Sequence, residues 1–519
     1  MKEIRYRSVL CILAAFFVLA VSGCAEQAVT DIDFENKEPV VNLNGIILGS
    51  PPEEGMDELY RQLDALTIPE LNCTLRFEYI AWGDERKQLN TAILSGEYDL
   101  IPGGVFSDYR TLVPKNAFLN IKEYLYLVPD LQEHYETYLE DALKSCEIDG
   151  GLYGIPQYSI GVKNINEGFF YREDLRKAWG LEPVTDLDTM EAYLYRAKEE
   201  DVYRNEPLIT DNRIWTSLWL MLSEGRYLEI DSMQETPFVV VQADDPGVLI
   251  NRMETPEFQE VIRYIRKWKE DGILESNMLV VSDNEGERGK RLMVANRKPC
   301  ETNAPFWSVN SNFIVELWRE HPEWEYGFFP YTQNNQFWYE ESIADSSVIS
   351  ISSRTKYPEI AVKLLEKIHT DQRYYDLLRY GVEGVHYHLS DGKLDFSGVS
   401  NNNRFGWTPI SDDLLSYPAT PINEKWYEET EKPYCEWQME VSRLAEADPL
   451  NGFSLQASGL KREMEAMERV RTQYFQPILC GYQEDYESAL AEANAALYAA
   501  GFEDYLRNMQ EQIAEYIGK

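Results

Sequence analysis

An α/β fold with a mainly parallel sheet is the class this sequence predicts, and three observations carry the expectation. From residue 40 onward short apolar strands alternate with helical stretches, and strand–helix–strand at this spacing builds right-handed βαβ units. The tail from Lys461 is almost all helical in pattern, punctuated by Pro477, Gly481 and Gly501. The length, 519 residues, suits several domains or one large two-lobed body with ample chain to bury a core.

Val40 to Leu48 is a short apolar strand, Glu54 to Ala65 has helical spacing, and Thr74 to Ile80 alternates as a second strand. Gly83 to Leu94 is amphipathic and stops at Ser95-Gly96, before a brief third strand from Tyr98 to Ile101. Ligands of such sheets collect at the carboxyl ends of the strands. Those ends are expected to be the loops Gly49-Ser50-Pro51, Ala81-Trp82-Gly83 and Pro102-Gly103-Gly104. Proline extends Tyr153 to Pro156, and Phe169 to Tyr171 reads as another strand. Arg172 to Trp179 is helical and ends at Gly180, and Thr185 fits the N-cap of the next helix, which runs to about Glu199. Glu257 to Lys269 places Phe258, Val261, Ile262, Ile265 and Trp268 on one stripe, with Gly272 as its stop. Val348 to Ile351 is a strand ahead of a helix from Pro358 to Ile368.

The amino terminus reads as an address. Lys2, Arg5 and Arg7 precede 13 apolar residues, Val9 to Val21. That run is long enough for a signal peptide, whereas about 20 residues are needed to span a bilayer. It ends in Val21-Ser22-Gly23-Cys24, which resembles the bacterial lipobox, so residues 1–23 are expected to be removed and Cys24 to carry lipid. Acyl chains anchor by burying methylenes, at ~0.8 kcal/mol each. Residues 25–39 are polar, acidic and non-periodic, as a flexible tether requires.

The charge balance, 49 Lys+Arg against 89 Asp+Glu for a net −40, disfavours phosphate backbones and anionic headgroups, so nucleic acid is not an expected partner. Seven cysteines without a CxxC pair leave neither a disulfide framework nor a zinc-ribbon spacing, and buried thiols are expected at 73, 146, 300, 435 and 480. His386-Tyr387-His388 reads as a solvated strand-loop rather than half a metal site, and Asp283 to Glu287 as a charged loop lacking the full calcium-loop spacing. No metal or cofactor is therefore expected.

Several segments, in order, resemble the extracellular solute-binding lipoproteins of carbohydrate-type ABC importers. They are Leu89 to Asp99 (LNTAILSGEYD), Gly151 to Pro156 (GLYGIP) and Tyr171 to Leu175 (YREDL). Pro358 to Leu365, Tyr380 to Tyr387, Asn451 to Ser454 and Ala499 to Gly501 are similar to the subgroup with a helical C-terminal domain of unknown function. The resemblance implies a periplasmic-binding-protein-like fold of two hinge-connected lobes, a carbohydrate held between them, delivery to permease subunits of the cytoplasmic membrane, and a lipid-anchored monomer on its extracellular face. Mapped onto this chain it puts lobe 1 at 40–156 with 343–372, lobe 2 at 157–342, and a mostly helical region, 373–519, across both.

Sugar rings present flat C–H faces that stack on indole and phenol rings, and the chain holds 34 Tyr and 12 Trp. Trp82 follows a strand. Trp307, in Asn303 to Trp307 (NAPFW), resembles a sugar-stacking turn of maltose-type binding proteins. Trp215 and Trp219 fall where the resemblance implies an aromatic cluster, Tyr158 lies just past the hinge proline, and Trp338 sits in the polar stretch Gln333 to Ser342. Trp268, Trp318 and Trp324 are expected to pack in the body. No GxSxG, HExxH, GxxxxGK[ST] or post-strand GxGxxG occurs, so no catalytic residue is assigned. The residues alone leave open a peptide-binding or adhesion lipoprotein, and a glycoside hydrolase whose paired carboxylates keep no sequence spacing.

Overall fold

The computed structural model describes residues 39–518 except 82–84, 105, 108, 139–142, 144–146, 149, 157–160, 201–205, 231–237, 281–284, 310–312, 342–346, 408–409, 411–413, 422, 451–452, 454 and 456–458. Cys24, Trp82, Tyr158, Cys146 and part of the Asp283 to Glu287 loop lie outside the described residues.

The opening strand, Val41–Leu48, pairs in parallel with Cys73–Ile80 from Val41↔Cys73 to Leu48↔Ile80, with the helix Met56–Leu71 as the crossover. Its other neighbour, Leu100–Gly104, is also parallel. Beyond that the sheet turns antiparallel, because Ser347–Ile351 enters only after the chain has visited the second half of the molecule. Ile155–Pro156 closes the five-stranded order on the far side of Ser347–Ile351. Pro102-Gly103-Gly104, expected as a loop, therefore lies within a strand, opposite Ile349, Val348 and Ser347. Gly103 is required there, since a Cβ would come within 2.8 Å of both Ser350 and Val348.

Two three-stranded antiparallel sheets build the second half: Tyr227–Glu229, Val239–Gln242 and Leu249–Asn251, and Cys300–Glu301, Gly168–Arg172 and Tyr326–Pro330. The helix Pro256–Glu270 presents its whole predicted stripe to this core, and Phe258, Val261, Ile262, Ile265 and Trp268 are all buried. Each such side chain stabilises the fold by about 1.5–3 kcal/mol before entropy is charged. Trp268 Nε1 donates to Glu191 Oε1 at 2.8 Å, which satisfies its one polar atom. Trp324, also buried, lies 3.5 Å beneath the Arg172 guanidinium. Asp186 caps the helix Leu187–Glu199 in place of the expected Thr185, because its carboxylate accepts from Thr189 N while Thr189 Oγ1 bonds back to Asp186 N.

The buried side chains form two large cores. One gathers Leu43 to Ile155 with Val348 to Ile410, the other Phe169 to Tyr339 with Leu450 to Ile513. Between Ile155 of the first core and Phe169 of the second, Val162 pairs with Glu340 as an antiparallel bridge partner. The C-terminal region contributes to both. Trp407 is fully buried in the first core and donates to Ile46 O at 3.0 Å, whereas Phe475, Leu497, Phe502, Tyr505 and Met509 fill the second. Two π-helical turns interrupt these helices, Tyr427–Glu431 and Arg471–Phe475. Each is followed two residues later by a proline, Pro433 and Pro477, whose missing N–H breaks the regular ladder.

His386 corrects the expectation of a solvated loop. Its ring is fully buried, with Nδ1 accepting from Val382 N and Nε2 facing Glu54 O, both at 2.9 Å. Glycines at 55 and 381, both at positive φ, leave the space this ring occupies, and His388 is exposed. Cys73, Cys300 and Cys480 are free, buried thiols. Cys435 is free but exposed, because it falls on the solvent face of the helix Lys432–Leu444.

Candidate functional site

The helix Ile214–Ser223 starts from a loop rooted in a buried polar cluster. Asp211 accepts from Arg213 N at 3.0 Å and from Thr302 Oγ1 at 2.5 Å, and beside it the buried Lys298 ammonium lies 3.2 Å from Glu301. Burial pushes the carboxyls of Glu301 and Glu167 upward, and in each case a nearby cation, Lys298 or Arg213, opposes the shift. The loop is thereby fixed, and the Arg213 side chain stands exposed at its edge.

Above this root a cavity of about 570 Å³ opens. Trp215 and Trp219, four residues apart, share one face of the helix and line one side. Trp219 is buried and tilted against Tyr227 with ring centroids 5.2 Å apart, while Trp215 is half-buried. Arg252 sits under both indoles, 5.0 Å from the Trp219 ring and 5.8 Å from the Trp215 ring, and its charge is compensated by Glu229 at 2.9 Å. The floor is thus aromatic and neutral.

The facing wall is the segment Asn335 to Glu341, which brings in Phe337 and Trp338. It is anchored at two points. Gln336 N donates to Glu224 O at 2.8 Å, and Glu446 N to Trp338 O at 2.9 Å. The Trp338 indole N–H and the Asn335 carboxamide oxygen are buried without a partner among the described residues. Unpaired polar atoms of this kind are costly unless something bonds them, and a ligand hydroxyl complements both.

The structure brings Trp215 and Trp338 to one cavity and leaves Trp307 outside it. Trp307 is 66% exposed on the short helix Phe306–Ser308, whose anchor is its neighbour Phe306, stacked on Tyr434 at 3.8 Å. Sequence reasoning missed Arg252, Arg213, Phe337 and Glu341 as lining residues. Only Phe337 and Glu341 carried a signal, by lying in the polar stretch already singled out. Among the described residues no group of three or more His, Cys, Asp or Glu side chains is placed to hold a metal, and no helix is long and apolar enough to cross a membrane.

Two α/β lobes, with an aromatic cavity beside the Val162–Glu340 bridge, have the architecture of a solute-binding protein. The chain belongs to the bacterial extracellular solute-binding protein family, which matches residues 70–381, and residues 449–518 match a domain of unknown function, DUF3502. A carbohydrate ABC transporter substrate-binding protein of Streptococcus pneumoniae is 22% identical over 492 residues, covering 92% of this chain and 91% of that protein. Among solved structures, the N-glycan transport solute binding protein NgtS of Streptococcus pneumoniae in complex with Man1GlcNAc aligns with TM-score 0.69 at 18% identity, over 92% of this chain and 100% of the other. An HMO-binding, ABC-transporter-associated solute binding protein of Bifidobacterium longum infantis aligns at 0.63 and 15%, over 93% and 100%.

Proposed function

We propose that this protein captures an oligosaccharide beside the lobe crossing and delivers it to an ABC importer. The observation that carries the reading is the pairing of Trp215 and Trp338 in one neutral-floored cavity, with an unpaired indole N–H and carboxamide oxygen on the wall facing Trp215. Ring faces suit the C–H surface of a pyranose, and the two polar atoms suit its hydroxyls. The relatives that bind carbohydrate or glycan support the same ligand class. Trp307, Trp82 and Tyr158 are further proposed contacts, and the lobes are proposed to divide at 40–156 with 343–372 and at 157–342. Binding proceeds without turnover, and Cys24 carries the lipid that keeps the chain on the extracellular face of the membrane.

A glycan array followed by calorimetric titration of the best hit tests the ligand class. A ligand at 100 times its Kd adds about 2.7 kcal/mol of stability. Absence of any glycan-dependent rise in melting temperature, with a peptide library giving one, would replace the carbohydrate reading by a peptide-binding one. Released product over many turnovers would instead mark a hydrolase. Unchanged membrane retention of Cys24→Ala would remove the lipid anchor.

A further inference from the structure

A second cavity, of about 450 Å³, opens where the strands Gly168–Arg172 and Tyr326–Pro330 meet the helical segment that begins at Glu424. It shares no lining residue with the cavity of Trp215 and Trp338, and takes none from the first core. Its wall is a set of fixed rings. The Tyr434 hydroxyl donates to Ile165 O at 3.1 Å, Phe328 meets the Tyr434 ring edge-on at 5.3 Å, and Trp437 is tilted against it at 5.7 Å. Phe328 and Trp437 are only half-buried, so aromatic surface remains open.

The lip comes from the π-helical turn Tyr427–Glu431, in which Lys432 N reaches back to Tyr427 O, with Pro433 just beyond. The widened turn sets Glu429 and Thr430 over the opening, and turns of this type concentrate at functional sites. Its charges are compensated: Glu173 lies 2.6 Å from Arg176, and Lys177 stands 3.6 Å from Glu173 and 3.8 Å from Glu429. The Gln333 carboxamide stands on the opposite rim.

We infer that this cavity is a second saccharide site, for a neutral sugar ring, separate from the proposed cleft. Open ring faces of Phe328 and Trp437 provide stacking surface, Gln333 and Thr430 provide uncharged hydrogen-bonding groups, and the paired carboxylates leave no net charge to select an ion. The volume lies within the ~300–1,000 Å³ usual for small-molecule sites. Both walls belong to the second half of the molecule, so the site needs no closure of one lobe on the other.

Saturation-transfer NMR of the full chain with methyl glucoside, methyl mannoside and N-acetylglucosamine tests this. Transfer to at least one sugar is expected to persist in Trp215→Ala and to weaken roughly ten-fold in apparent affinity in Trp437→Ala. Gln333→Leu, a rim change that leaves the rings in place, should weaken it as well and guards against misfolding of the tryptophan variant. Transfer that is lost in Trp215→Ala yet unchanged in Trp437→Ala and Gln333→Leu assigns all binding to the first cavity and overturns the second site. No transfer from the unmodified chain to any of the three sugars overturns it too, without bearing on an oligosaccharide that needs the larger cleft.

Discussion

Lys163 and Asp448 form a buried ion pair of 2.9 Å, with side chains 11% and 2% exposed, across 285 residues of sequence. Lys163 lies on the crossing segment and lines the first cavity, and Asp448 lies in the C-terminal region. Backbone bonds flank the pair: Lys163 N to Tyr339 O at 3.0 Å and Glu340 N to Glu446 O at 2.9 Å. The C-terminal region is therefore stitched to the connection between the lobes, next to the wall that carries Trp338.

Asp448→Ala removes the carboxylate 2.9 Å from the buried Lys163 ammonium and should cost about 3–5 kcal/mol of stability, measured by denaturant titration. Lys163→Met combined with Asp448→Ala should recover most of that loss. A double variant as unstable as Asp448→Ala alone would show that the loss comes from packing or from the Asp448 bond to Leu450 N, rather than from the broken ion pair.

Trp215→Ala should weaken oligosaccharide binding by about 2 kcal/mol, roughly thirty-fold, with little change in melting temperature. Trp219→Ala, one turn further along the helix and fully enclosed, should instead cost about 3–5 kcal/mol of stability. Trp338→Phe keeps the ring and deletes the unpaired N–H, so its affinity loss should be smaller, about 0.5–1.5 kcal/mol. Titration calorimetry and thermal melts on the three variants separate these roles, and equal affinities across all three would sink the cleft assignment.

Trp307→Ala should leave stability within about 0.5 kcal/mol, because the indole is largely in solvent. An affinity loss near thirty-fold would place Trp307 on the ligand from outside the cavity, and an unchanged Kd would retire it as a contact.

Burial holds the His386 imidazole below its ordinary range, and the bonds it makes suit the neutral ring. The unfolded chain then binds the extra proton first. Stability from this site is present above about pH 6.5 and falls as pH drops from there toward the lower folded value. Melting temperatures at pH 7.5 and 5.5 should differ more in the unmodified chain than in His386→Gln. Equal differences would contradict the prediction.

Local order was legible wherever one face of an element had to be apolar. The stripe of Pro256–Glu270, the strand Val41–Leu48 and the stop at Gly272 follow from period and from glycine's tolerance of positive φ, and each depends only on near neighbours. The shift of one N-cap from Thr185 to Asp186 is the scale of error that such local reading makes. The strand containing Pro102 to Gly104 was illegible because its partner is some 245 residues away and supplies the pairing that its own composition argues against.

The order of strands and helices, the acidic surface and the apolar stripes are written in the chain, since each is a matter of residue type and spacing. Which tryptophan faces a cavity is not. Trp215, Trp307 and Trp338 look alike as sequence, and only the packing of the turn Ser223–Gly225, the crossing segment and Glu446 around Asn335 to Glu341 puts two of them on one cavity and the third in solvent. Those contacts join residues more than 100 positions apart, and whether such groups meet depends on the net of burial and lost chain entropy over the whole fold, which no window of sequence contains.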